Sequence, residues 1–101
     1  MAQSYAITWQ EDGTEPRSGR LELGPESLVF EGANGHGPET HELLYTEIHS
    51  VHVARASKER LSGRPTLVLE RRRGDPIRIA GIAQPGIVSE LAEYLAARDG
   101  A

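Results

Sequence analysis

The densest group of chemically capable side chains in this sequence is basic and lies in its second half. Eight lysine and arginine residues fall between positions 55 and 78, diluted by three acids. Guanidinium groups grip phosphate and carboxylate groups in a planar, two-pronged geometry. The alternative is a solvated surface, since charged side chains mostly face water. Within the group we predict that six residues bind an anion or a partner: Arg71, Arg72, Arg73, Lys58, Arg60 and Arg64.

Four histidines raise the question of a metal site, because imidazole is a common ligand of zinc and other transition metals. His49 and His52 differ by three along one predicted strand and so face opposite sides, while His36 falls in a predicted loop. His41 and His52 are the pair that could meet across a hairpin. A metal site needs three or four converging ligands. We therefore predict solvated or hydrogen-bonded histidines and no metal.

No arrangement of residues carries the signature of catalysis. Ser50, His52 and Asp75 supply the side-chain types of a triad but no nucleophile elbow. The glycine-rich run 32–37 lacks the lysine and following helix of a phosphate-binding loop. The chain has no cysteine, which excludes a thiolate nucleophile, a thiolate metal site and disulfides. The sequence thus predicts no enzymatic activity and no cofactor.

Length and composition describe one ordinary globular domain. The chain has 101 residues, of which 38% are hydrophobic and 26% charged, enough for a single core. Neither a signal peptide nor a long apolar span is present, which predicts a cytoplasmic protein with no transmembrane segment. The formal net charge of -4 hides an asymmetry. Nine acids and two bases in residues 1–50 give -7, whereas six acids and nine bases in residues 51–101 give +3.

Alternating apolar residues predict β-strands in the first half. Positions 5–10 form the first, and the polar run 11–16 is a loop. A four-residue turn at 24–27 sets Leu23 opposite Leu28 and Leu21 opposite Phe30, which places all four side chains on one face. Residues 32–40 are small or turn-forming and predict a mobile loop. A fourth strand covers 41–45.

The second half continues this pattern and then changes period. A fifth strand covers 48–55 with Val51 and Val53 inward, and residues 56–65 form a loop or a short helical turn. A hairpin then pairs Leu69 with Ile79 and sets Glu70 opposite Arg78 on the outer face. From Pro85 onward the spacing is helical and predicts one amphipathic helix over 85–98, with its stripe at Ile87, Val88, Leu91, Tyr94 and Leu95.

Short loops between all strands require antiparallel pairing. The predicted fold is therefore mainly β and β-barrel-like, with about seven antiparallel strands in a bent sheet or open barrel capped by one C-terminal α-helix. The whole chain, residues 1–101, forms a single domain. We expect four leucine and phenylalanine side chains of the first hairpin to share one core with four of the last: Leu21, Leu23, Leu28, Phe30, Leu67, Leu69, Ile77 and Ile79.

Three segments resemble a known superfold. The runs 19–23 (GRLEL), 27–30 (SLVF) and 44–53 (LYTEIHSVHV), followed by 67–69, 77–79 and the helix, are similar to the pleckstrin-homology superfold in its GRAM and bacterial PH-like branches. This resemblance implies a binding scaffold for protein or lipid rather than an enzyme. In phosphoinositide-binding members the first loop is basic. Here Glu11, Asp12 and Glu15 would repel a phosphate headgroup.

The sequence therefore predicts a non-enzymatic interaction module that binds a protein partner or another copy of itself. The alternative is peripheral binding of anionic lipid through the arginine-rich region. Nucleic acid is disfavoured, because no aromatic residues interleave with the basic ones to stack on bases.

Overall fold

The computed structural model describes residues 3–11, 14–34, 37–82 and 86–98. In chain order the strands are β1 (Gln3–Glu11), β2 (Arg17–Leu23), β3 (Ser27–Asn34), β4 (Gly37–Leu44), β5 (Ile48–Val53), β6 (Thr66–Arg71) and β7 (Ile77–Gly81). One α-helix, α1 (Ile87–Arg98), follows them. Short 3-10 turns occupy Tyr45–Glu47, Ser57–Glu59 and Leu61–Gly63. The predicted loop or helical turn over 56–65 is confirmed by the last two.

The seven strands form one antiparallel sheet that is not closed. Its order is β4-β3-β2-β1-β7-β6-β5, so β4 and β5 are the edge strands. The predicted fold class is confirmed: the described residues are mainly β, with antiparallel strands in an open sheet and one C-terminal helix. No helix within the described residues has the length and apolar content that a membrane crossing requires.

The predicted core is confirmed. Leu23 lies opposite Leu28 and Leu21 opposite Phe30, as the four-residue turn requires. All eight side chains named above are buried in one cluster, together with Ile7, Trp9 and the helix stripe. The indole ring of Trp9 packs against Phe30 with ring centroids 5.5 Å apart. A core this continuous holds both halves of the sheet to one helix.

The helix packs mainly against β5, β6 and β7. Ile87, Val88, Leu91 and Leu95 are buried, as the spacing predicted. Partial burial and, to a smaller extent, the carboxylate of Glu90 raise the pKa of Tyr5 above its ordinary value. The predicted helix start at Pro85 lies outside the described residues. The helix therefore supports the β5 side of the sheet more than the β4 side.

The predicted loop over 32–40 is wrong, because β3 continues to Asn34 and β4 begins at Gly37. Gly32 pairs with Glu39 inside this hairpin. A Cβ added to Gly32 would come within 2.5 Å of the Trp9 ring, so the ring fills the space where a side chain would stand. Residues that look like a loop in isolation are thus strand residues packed under a tryptophan. Gly35 and His36, in the middle of that predicted loop, lie outside the described residues.

The predicted register of the β6–β7 hairpin is also wrong. Leu69 pairs with Ile77 rather than Ile79, and Val68 rather than Glu70 lies opposite Arg78. The reason is the turn: Gly74 adopts a left-handed φ of 95°, and the Arg71 Nε donates to the Asp75 carbonyl oxygen at 2.6 Å. This closure keeps Arg71 in the strand and shifts the pairing by two residues.

Strand β5 departs from the prediction at its end. It stops at Val53 rather than near Arg55, and the register shifts between Ile48 and Ser50. This irregularity lets Ile48 be buried while Val51 also packs against the core. Val53 lies opposite buried Leu67, on the inward face that was predicted, but its side chain is 43% exposed. Among the described strands none lies on its open side, because β5 is an edge.

Candidate functional site

The three arginines at the β6–β7 turn differ in what they contact. Arg71 is 17% exposed; its guanidinium lies 3.4 Å from a Glu11 carboxylate oxygen and folds over Gly74. Arg72 is exposed, and its Nε donates to the carbonyl oxygen of Thr46 at 2.9 Å. Arg73 is exposed at the turn itself. Arg71 therefore stabilises the turn, while Arg72 and Arg73 remain accessible to a partner.

The other three predicted site residues belong to the connection between β5 and β6. Lys58, Arg60 and Arg64 are exposed, and Arg64 Nη1 donates to the Gly81 carbonyl oxygen at 3.4 Å. Strand β6 separates this group from Arg71, a span of roughly 20 Å for six residues at 3.3 Å each. The structure thus divides the six predicted residues into two groups, one at each end of β6.

The β5–β6 connection folds back over the outer face of the sheet. Leu61 is buried there, and its backbone N–H donates to the buried Thr66 hydroxyl at 2.9 Å. Beside it an open groove of about 290 Å³ is lined by Thr8, Ser18, Leu61, Arg64, Ala80 and Ile82. The hydroxyl oxygens of Thr8 and Ser18 lie 3.3 Å apart. This groove offers hydroxyl and guanidinium donors together, although it is shallow.

The inner face holds a smaller and more enclosed cleft, with a volume of about 90 Å³. Trp9, Phe30, Leu43 and Ile77 supply its apolar walls. Its two arginines already face carboxylates: Arg71 faces Glu11, and Arg17 lies 3.2 Å from Glu39. His41 contacts the same Glu39. Because these arginines are paired, an anion entering the cleft would have to displace protein carboxylates.

The histidines occupy the two edges of the sheet. His41 lies on β4, whereas His49 and His52 are exposed on β5, so the one pair considered for a shared site belongs to strands at opposite ends of the sheet order. Among the described residues no group of three or more His, Cys, Asp or Glu side chains is placed to hold a metal ion.

The feature that sequence reasoning missed is the edge of β5. The Ala54 N–H donates to the Thr66 carbonyl oxygen at 2.8 Å, which fixes the alternation of this antiparallel pair. The backbone of His52 then forms hydrogen bonds with the backbone of Val68, whereas the backbone N–H and C=O groups of Val51 and Val53 point away from β6. Within the part of the chain that the structure describes, these groups line an open edge of the sheet, and the side chain of Val53 is half exposed beside them.

The edge of β4 has a different character. The Tyr45 N–H donates to the Glu26 carbonyl oxygen at 3.0 Å, which fixes the alternation along this strand. The backbone groups that point away from β3 therefore belong to Pro38, Thr40, Glu42 and Leu44. Pro38 has no N–H to offer. Glu39 lies on the same face as buried Leu43 and places a charge beside the core. Proline, charge and inward-pointing charged residues are three of the devices by which proteins block strand addition. A β-bulge is another, and β5 has its register irregularity between Ile48 and Ser50, before Val51 and Val53.

Sequence signals for this difference exist. Residues 48–58 contain no acid and no proline, whereas residues 37–44 contain a proline and two glutamates. What the sequence does not reveal is that these two segments are the edges, since that depends on the strand order.

Comparison with known proteins informs the fold alone. No family model matches this chain, and no curated protein matches it. Twenty-nine chains of solved structures are similar to it. One is the C-terminal domain of an unknown protein from Leishmania infantum, with a TM-score of 0.70 and 18% sequence identity, covering 93% of this chain and 82% of that one. At that identity the likeness extends to the arrangement of strands and helix.

Proposed function

We propose that this chain is a non-enzymatic interaction module that binds an extended segment of a protein by adding it as a strand beside β5. The observation that carries the proposal is the unblocked edge at Val51 and Val53, set against the blocked edge of β4. Strand addition draws affinity from main-chain hydrogen bonds and specificity from side-chain contacts. A binding role also agrees with the resemblance to the pleckstrin-homology superfold, which stays a prediction.

The expected affinity is modest. Val51 and Val53 together present two N–H donors and two C=O acceptors, each bond worth about 0.5–1.5 kcal/mol. The sum of about 2–6 kcal/mol must exceed the free-energy cost of ordering the incoming segment. Main-chain pairing alone therefore gives weak binding, and side-chain contacts beside the edge must add to it.

The test uses three synthetic ten-residue peptides in which valine alternates with glutamate, serine or lysine. At least one should slow the hydrogen exchange of the Val51 and Val53 amides, measured by NMR. Val53→Pro should remove the protection of the Val51 amide, because proline takes away an outward N–H and puts its ring toward the incoming strand, while the bonds to β6 stay in place.

The matched control is Thr40→Pro, which removes an outward N–H from the other edge and should leave peptide binding unchanged. If no peptide protects β5, or if Val53→Pro binds as the parent does, strand addition at β5 is not the function. Sedimentation of the chain alone reports whether a second copy occupies the edge.

A second candidate is peripheral binding of anionic lipid, favoured by the outer groove beside Arg64, with Lys58 and Arg60 exposed on the same connection. Binding to phosphatidylserine vesicles should then appear at low salt and fall near physiological ionic strength, where the screening length is about 8 Å. Arg64→Ser should reduce it in co-sedimentation, while Arg73→Ser at the other end of β6 should not. If both variants bind the vesicles as well as the parent does, the groove beside Arg64 is not the lipid site.

A further inference from the structure

The charges around the open edge indicate what kind of segment it accepts. From Ile48 to Lys58 the chain carries Arg55, Lys58 and two histidines but no acid. Arg55 and Lys58 are exposed, and within the described residues neither has a carboxylate at ion-pair distance. Two free cations thus follow directly on the end of β5 at Val53.

The other end of β5 is flanked by a cation as well. The backbone N–H of Arg72 donates to the Glu47 carbonyl oxygen at 2.9 Å, which places Arg72 beside the start of β5. Its side chain is exposed beyond the bond to Thr46. The open edge therefore has basic side chains at both ends, with an acid next to each group: Glu47 near Arg72 and Glu59 after Lys58.

A second copy fits this edge poorly. Symmetric antiparallel pairing of two β5 strands centred on His52 sets Arg55 of one copy opposite His49 of the other. That position is near Arg72 of the other copy as well as Glu47, so at both ends Arg55 meets a cation together with the acid, where an acidic segment would offer carboxylates alone. Opposed like charges destabilise strand pairing. Pairing with β4 of another copy meets Pro38, which cannot donate.

We infer that the segment added beside β5 belongs to a different protein and carries carboxylate side chains toward its ends. This inference rests on the proposed function, since it names the chemistry of the partner at the same edge. An acidic segment meets Arg55 and Lys58 at one end and Arg72 at the other, so the attraction is complementary along the strand. Such complementarity raises the association rate and suppresses wrong partners.

The three peptides with alternating glutamate, serine and lysine test this directly, through dissociation constants measured by NMR titration. Exposed ion pairs each change affinity by roughly 1.5- to fivefold. At low salt the glutamate peptide should therefore bind about tenfold or more tightly than the lysine peptide, with the serine peptide between them. Near 0.5 M salt the three should converge, because screening removes the charge contribution.

Variants separate charge from strand pairing. Arg55→Ser with Lys58→Ser should remove most of the preference for glutamate, whereas the control Arg20→Ser, an exposed arginine on β2, should keep it. If all three peptides bind equally and Val53→Pro still abolishes binding, the inference fails and strand addition stands. If charge matters but Val53→Pro does not, the proposed function fails. Self-association that Val53→Pro abolishes would identify a second copy as the occupant and overturn the inference.

Discussion

The two edges of this sheet solve the same physical problem in different ways. Each presents a row of backbone groups without a neighbouring strand, which invites pairing with another chain. At the β4 edge the backbones of Pro38 and Glu42 face outward, and the charged side chain of Glu39 lies beside the core. At the β5 edge the backbone N–H and C=O groups of Val51 and Val53 point outward, and the strand contains neither proline nor an acidic residue. Where one sheet blocks one edge and leaves the other open, the open edge is the place to seek a partner.

The difference extends to what supports each edge. Helix α1 packs against β5, β6 and β7, and the rings of Tyr45 and Tyr94 lie 6.3 Å apart at the turn that precedes β5. Strand β4 is supported by β3. An open edge that is held by such packing is pre-ordered for binding, because less of it must be ordered when a segment arrives.

The largest expected effect comes from weakening that support. Leu91→Ala removes a fully buried side chain of α1 and should lower the free energy of unfolding by about 2–5 kcal/mol. Amide exchange should speed up more in β5 than in β4, since the helix packs mainly against β5, β6 and β7. Chemical denaturation and exchange measured by NMR check both. An unfolding midpoint equal to the parent's, or equal acceleration at both edges, would contradict the comparison.

A smaller effect tests the direction of the backbone groups. His52→Pro removes a donor that faces β6 and leaves the Val68 acceptor unpaired, which should cost about 1–3 kcal/mol. Val53→Pro, one residue further on, should cost clearly less, because its N–H faces outward. Denaturation of the two variants side by side measures the difference. Equal losses would show that the alternation along β5 is assigned the wrong way round.

The sequence predicts much of this fold, and its failures have physical causes. Leu21, Leu23, Leu28 and Phe30 alternate cleanly around a short turn, so local pattern alone determines their register. Gly32 escaped the same reasoning, because its place in β3 depends on Trp9, which is distant in the sequence.

The binding edge could not be predicted, for a related reason. The residues of β5 are visible as a strand, but whether a strand is internal or an edge depends on strand order. The prediction instead favoured the arginines, whose charges are visible in the sequence. Strand β6 divides those arginines into two groups, and the carboxylate of Glu11 faces Arg71.

The smallest effect on stability comes from opening the blocked edge. Pro38→Thr restores an outward N–H on β4, and Glu42→Gln removes a charge while keeping an acceptor for the Ser27 hydroxyl, which lies 2.8 Å from a Glu42 carboxylate oxygen. The double variant should lose no more than about 1 kcal/mol, mainly because proline no longer restricts the unfolded chain. The peptide of alternating valine and serine should then protect the Thr40 amide from exchange, which it should not do in the parent. If the peptide still does not protect Thr40, proline and charge are not what distinguishes the two edges. The packing of α1 against β5 is then the difference that explains why the peptide prefers β5 to β4.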